Sequence, residues 1–580
     1  MTTDFFSIDK LNSKIITCLE RIYPQADQDA LARLCLNAMG DRITDEATSL
    51  EHLWSERDCL LITYGNSIRD HGNKPLVTLQ AFLHNQLKDI FSAVHVLPFF
   101  PHSSDDGFAV MDYLQVDPEL GDWKDINALS NHFKLMADLV INHVSSQSQW
   151  FRNFLYGKDP GQDYFIDVDP NLDLSMVVRP RTSRLLRPVE TSSGIRHVWC
   201  TFSDDQVDLN FRNSKVLLEF LRIIARYLEE GIQWIRLDAV AFLWKEPGTR
   251  CIHLPQTHEI IKLLRLLIEY KNARALLITE TNVPNHENLS YFGSSNEAHI
   301  IYNFSLPPLL LHALMSGDVN YLQSWMMSMP TPPTGCTYLN FTASHDGIGL
   351  RPAEGLLSDG ELNTLLDTMK KFGGQISSRN NSEGIDQPYE INISLFDAMR
   401  GTYKGEDQWQ IRRFICSQTI MMALQGIPAF YIHSLFATPN DEDKLQATQQ
   451  NRSINRKNWD YRQLTELLAD PESVQHGVFH QICKLIRIRN VQPAFHPNAI
   501  QFLLYIKPEI FAFWRQSVHR SQSIFCLNNL SDIPQPIDLA EINLIETGDW
   551  INIIKGQLVE DINGTLVLEP YECAWLAHYA

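Results

Sequence analysis

No two cysteines in this 580-residue chain stand in a C-x-x-C pair, although ten are spread from Cys18 to Cys573. That spacing excludes a zinc ribbon and fits free thiols in a reducing compartment, so the expected location is the cytoplasm. Uninterrupted apolar runs of the roughly 20 residues that span a bilayer are missing. The opening MTTDFFSIDK has neither the basic nor the apolar region of a secretion signal, so no membrane partner is expected. Long basic runs are missing too. With a formal charge of -20 and an isoelectric point near 5.4, general nucleic-acid binding is disfavoured, while a local cationic patch for an anionic substrate remains open. The acidic runs DDG (105–107) and NDED (440–443) are too loosely spaced for calcium loops, so no metal and no cofactor is expected.

What is present is enough apolar residue, 44%, to bury a large core in more than one domain. The organising segment is GIQWIRLDAVAFLWKEPG (231–248). Its Ile232, Trp234, Ile235 and Leu237 read as a buried parallel strand, interrupted by Arg236 and Asp238, which a two-residue period puts on one face. Burying both is costly unless they pair or do chemistry. Three further apolar runs end in the same manner: LMADLVINH (135–143) in Asp138, Asn142 and His143, ALLITETN (275–282) in Glu280, and TYLNFTASHD (337–346) in His345 and Asp346. Ionisable groups at the C-terminal ends of successive strands mark the catalytic face of a (β/α)8 barrel.

Runs at 59–64, 94–100, 300–306 and 427–432 supply the remaining strands, and an amphipathic helix lies around 259–270. The expected fold class is therefore α/β, a TIM (β/α)8 barrel over 57–498. Residues 1–56 have helical periodicity and read as a helical N-terminal extension. Two stretches are too long for ordinary connections: 144–208, taken as an inserted subdomain, and 347–412, with the polar loop SSRNNSEGIDQPYE, taken as an active-site cover. From 499 to 580 short alternating runs (502–506, 510–514, 523–527, 565–568) indicate a C-terminal antiparallel β-domain.

Asp238, Glu280 and Asp346 give three carboxylates on one barrel face. Glycoside chemistry needs one carboxylate ionised, to attack or stabilise an oxocarbenium-like centre, and another protonated, to release the leaving oxygen. Arg236 is expected to keep Asp238 charged, and the apolar strand around Glu280 to raise its pKa. His143 and His345 are candidate donors to sugar hydroxyls.

In this order the motifs DLVINH (138–143), IRLDAVAF (235–242), ITETN (278–282) and FTASHD (341–346) resemble the retaining α-amylase family. The resemblance implies Asp238 as nucleophile, Glu280 as general acid and base, Asp346 as transition-state stabiliser, and Arg236, His143 and His345 as glucosyl contacts. Within the family the likeness is to the sucrose-phosphorylase group. PFFPHSSDDGFAVMDY (98–113) looks like that group's loop and implies Asp105 and Phe108 in the glucose pocket, NRSINR (451–456) implies Arg452, and RPR (179–181) makes Arg181 the candidate phosphate ligand. A guanidinium over a covalent glucosyl-aspartate would favour phosphate over water as acceptor. The partners implied are a small α-glucoside and inorganic phosphate.

The chain departs from the sucrose-phosphorylase pattern at Gln387, Pro388, Tyr389 and Glu390 in the acceptor loop, and at Asn282, where that group has histidine. Tyr389 and Glu390 are therefore candidate substrate contacts for a different acceptor. The segments at 242–259 and 389–394 look like the glucosylglycerate phosphorylase branch, whose substrate carries a carboxylate that Lys245, Arg250, His253 or Arg351 would meet. Phosphorolysis of sucrose or glucosylglycerol, hydrolysis or transglucosylation on the same fold, and a non-catalytic binding protein are the alternatives.

Overall fold

The computed structural model describes residues 8–43, 53–380, 386–542, 549–561 and 564–579. Parts of the expected N-terminal extension (1–7 and 44–52) and of the polar cover loop (381–385) lie outside the described residues. Eight parallel strands close into a barrel in chain order: β1 (Leu60–Thr63), β2 (Ala93–Val96), β3 (Lys134–Val140), β4 (Ile232–Asp238), β5 (Leu276–Thr279), β6 (Ile300–Tyr302), β7 (Thr337–Asn340) and β8 (Ile427–Tyr431), with β8 pairing back onto β1. The expected TIM barrel is what forms. Its strands are almost wholly buried because helices cover the outside and side chains fill the inside, which is why they read as near-continuous apolar runs.

The paired strands are shorter than those runs. Leu97 to Phe100 leave the sheet after β2 but stay buried, Leu306 opens a helix (Leu306–Ser316), and β7 stops at Asn340, so His345 and Asp346 sit on the loop above it. Burial makes these residues apolar whether or not they pair. His143 likewise lies past β3, in a short strand (His143–Ser145) that pairs antiparallel with Gln206–Asp208.

Helices α1 (Ile8–Ile22) and α2 (Gln28–Met39) precede the barrel. Leu11, Ile15, Cys18, Leu19 and Ile22 form one buried stripe of α1 and share a continuous core with α3 (Ser214–Glu229) and α4 (Pro255–Lys271). Polar contacts fix the docking: Arg21 pairs with Glu259 of α4 at 3.0 Å, and the Tyr23 hydroxyl donates to the Phe211 carbonyl at 2.8 Å.

Between β3 and β4 the chain forms a hairpin (Leu186–Thr191 with Gly194–Trp199), and after β7 a second (Gln375–Asn380 with Asp386–Asn392). Beyond the barrel an antiparallel sheet is built from Ile500–Leu504, Ile510–Gln516, Gln522–Asn529 and Cys573–Tyr579, extended by Ile551–Asn552 and Gln557–Leu558. Sequence periodicity passes over the strand Cys573–Tyr579, which pairs along the whole length of Gln522–Asn529. All ten cysteines are buried and free, with Cys416 and Cys573 sulfurs 3.5 Å apart.

Candidate active site

The C-terminal ends of the strands deliver the ionisable residues to one pocket. Asp238 is the last residue of β4, and Glu280 follows β5 directly. Both line the pocket, as do Asp346 and His345 from the loop after β7. Asp105, Phe108 and His143 line its other wall, and Arg181, Tyr389 and Arg452 complete the rim.

Two of the residues read as substrate contacts do not line it. Arg236 lies beneath the floor, with a side chain 3% exposed, and its Nη1 donates to Asp138 and, at 2.7 Å, to Asp238 Oδ1. Glu390 sits behind Arg452, accepting from its Nε at 3.1 Å and its Nη2 at 3.1 Å and from the Gly347 amide. Each is held against a neighbouring charge behind the pocket lining.

Electrostatics divide the three carboxylates. Burial drives the Glu280 carboxyl up to about 7, reinforced by Asp238 and Asp346 and opposed by Arg236. Burial also raises Asp238 above the usual carboxylate range, against the pull of Arg236. The expected lowering by Arg236 does not prevail because its Nη1 serves Asp138 as well, and Asp138 is fully buried and also held by His95 at 2.7 Å. Arg236 stands 2.7 Å from Asp238 but 3.9 Å from Glu280. The closer contact favours the ionised form of Asp238 more than that of Glu280. Burial opposes ionisation of Asp346 too, but Arg452, 2.5 Å from its Oδ1, together with His345 and Arg456, holds it well below the usual range. Burial lowers His345 to about 3, so its imidazole is neutral, and it stacks on Phe108 at 4.9 Å.

Backbone geometry sharpens the site. Ala239, just after Asp238, has φ 52°, and its N–H donates to Glu280 Oε2 at 3.1 Å. A left-handed alanine costs about 1–2 kcal/mol, strain retained where it ties β4 to the carboxyl of β5. Gly107, beside Asp105, has φ 112°, and a Cβ there would lie 2.7 Å from the Pro98 carbonyl. No other residue type lets this loop fold under Phe108.

Sequence reasoning assigned no role to Arg456, Gln206 or His95. Arg456 donates to the His345 carbonyl at 2.8 Å and to Asp106 at 2.7 Å. Gln206 donates to the Phe108 carbonyl at 3.2 Å and lies 3.2 Å from His143 Nε2. The only available signal was the arginine at the end of NRSINR. Lys245 is not a substrate contact: its ammonium is buried between Asn142 Oδ1 at 2.6 Å and Asp208 Oδ2 at 2.5 Å.

Residues 85–346 match the model of the α-amylase catalytic domain. The chain is 44% identical over 525 residues, 90% of its length and 91% of the relative's, to a glucosylglycerate phosphorylase of Allomeiothermus silvanus. It belongs to the α-amylase family. Within that family it groups with glycoside phosphorylases: the glucosylglycerate phosphorylase of Escherichia coli is 40% identical over 90% of this chain and 92% of its own. The fold of this α-amylase-family chain is also that of the sucrose 6F-phosphate phosphorylase from Thermoanaerobacter thermosaccharolyticum, with a TM-score of 0.72 and 24% identity over 88% of this chain and 98% of that one.

Proposed function

We propose that the protein is a retaining α-glucoside phosphorylase that converts glucosylglycerate and phosphate into α-D-glucose 1-phosphate and glycerate. Asp238 attacks the anomeric carbon while Glu280, protonated near neutral pH, gives its proton to the departing oxygen, leaving a glucosyl ester on Asp238. Asp346, fixed as an anion by Arg452, grips sugar hydroxyls, and Phe108, stacked on His345, floors the ring. Phosphate then enters beside Arg181. Glu280, now ionised, takes a proton from it as a phosphate oxygen displaces Asp238, and two inversions give net retention.

The observation that carries this reading is the arginine rim above an acidic floor. Arg181 keeps 27% of its side chain exposed, lies over the Tyr389 ring at 5.6 Å and stands 3.8 Å from Glu390, so a guanidinium faces the space a second substrate must enter. The names of the relatives at 40–45% identity support glucosylglycerate as the donor. Incubation with glucosylglycerate tests it: glucose 1-phosphate should form with phosphate and not without. Release of free glucose at the same rate in both would make the protein a hydrolase instead.

A further inference from the structure

One cation in the pocket wall has no task in the glucosyl chemistry. Arg351 lines the pocket and is only 7% exposed, yet among the described residues its guanidinium donates no hydrogen bond, and its Nε is buried without a partner. A buried charge in that condition is costly unless something else compensates it. The only described carboxylate within 4 Å is Glu287, whose Oε2 is 3.8 Å from Arg351 Nη2 and 3.1 Å from His253 Nε2, and whose Oε1 is 3.7 Å from Arg250 Nη1. One carboxylate therefore serves two arginines, neither closer than 3.7 Å, and hydrogen-bonds an imidazole that burial keeps neutral. Burial, followed by repulsion from Arg379, draws the Arg351 pKa down, as expected of an under-compensated cation.

Opposite chemistry lines the same pocket. Asn282, two residues past Glu280, also lines the pocket, and its Oδ1 is a buried acceptor without a donor. It is held close to Gly349, where an added Cβ would lie 2.5 Å from Asn282 Nδ2. The pocket thus offers an unsatisfied cationic donor and an unsatisfied neutral acceptor, the pair required by a molecule carrying both a carboxylate and a hydroxyl. The other cations named from sequence are excluded by their surroundings. Lys245 is locked to Asp208, His253 is held by Tyr291 at 2.7 Å and by Glu287, and Arg250 is half exposed outside the pocket lining.

We infer that Arg351 and Asn282 select a short dihydroxy acid as the leaving group and reverse-reaction acceptor, Arg351 binding its carboxylate and Asn282 Oδ1 accepting from the hydroxyl that is not joined to glucose. This rests on the phosphorolysis reading and deepens it, because it separates the acid's anion site at Arg351 from the phosphate's at Arg181.

The test uses the full chain in the synthetic direction, with glucose 1-phosphate as donor and glycerate or glycerol as acceptor. For Arg351→Gln, kcat/KM with glycerate should fall by roughly 10- to 150-fold more than with glycerol, the scale of one hydrogen bond to a charged group. Glu287→Gln should move the other way, lowering the KM for glycerate, a gain that no loss of fold produces. Equal losses with both acceptors, or a KM for phosphate that rises as much as that for glycerate, would overturn the assignment. Calorimetric titration of glycerate into wild type and Arg351→Gln reads the site without turnover. If wild type turns nothing over yet binds glycerate through Arg351, phosphorolysis fails and the carboxylate site stands; if wild type is active and the substitution leaves glycerate binding unchanged, the carboxylate site fails alone.

Discussion

At the scale of single residues the pocket is governed by one guanidinium serving three acids. Arg236 satisfies Asp138 and Asp238 directly and reaches Glu280 only at 3.9 Å, so the farthest acid is left to hold a proton. This has a cost that can be measured. The folded pKa of Glu280, about 7, lies above its ordinary value of 4.5. The folded state therefore binds more protons than the unfolded one between these values, and stability falls as pH rises through that window. Glu280→Gln has no such titration. Its melting temperature should gain on wild type from pH 4.5 to 7 and stay ahead above, with a stability difference of up to about 3 kcal/mol, while turnover of glucosylglycerate drops by roughly 100- to 10,000-fold. A pH-independent difference in melting temperature would show that Glu280 ionises normally. The acids themselves were legible because each closes an apolar run. Arg236 was legible as a partner, but its division between Asp138 and Asp238 was not: pairing across β3 and β4 places Asp138 opposite it, and register is a property of the closed sheet.

At the scale of elements, the segment between β3 and β4 is pinned to the barrel by Lys245. Its ammonium, 2% exposed, joins Asp208 of the inserted segment to Asn142 beside β3. Lys245→Met should leave Asp208 an uncompensated buried anion and cost about 3–5 kcal/mol. Denaturant melts would show this, and adding Asp208→Asn should recover most of the loss. Recovery of nothing would mean the ammonium acts through some other contact. From the sequence this lysine was one of four cations that could meet a carboxylate, and nothing in WKEPG distinguishes a residue facing ligand from one facing an internal aspartate 37 positions away. The barrel strands were visible for the opposite reason, since each is a local apolar run. Their ends were not, because residues such as Phe99 and Phe100 are as buried beyond the sheet as within it.

At the scale of the whole molecule, the hydrophobic core runs without a break from α1 through the barrel to the C-terminal sheet, including Leu11, Ile235 and Trp575 in one cluster. The helices that the sequence reads as an N-terminal extension are part of that wall, because the stripe of α1 buries against both α2 and α4. Cysteines sample that wall throughout, from Cys18 in α1 to Cys573 in the last strand, and every one is sheltered from solvent. The folded protein should hence be nearly inert to an aromatic disulfide reagent, releasing close to no chromophore. In strong denaturant all ten sulfurs should react. Between those limits the order in which tagged peptides appear in a mass spectrum becomes a map of which parts of the chain open first, recorded without substituting a single residue.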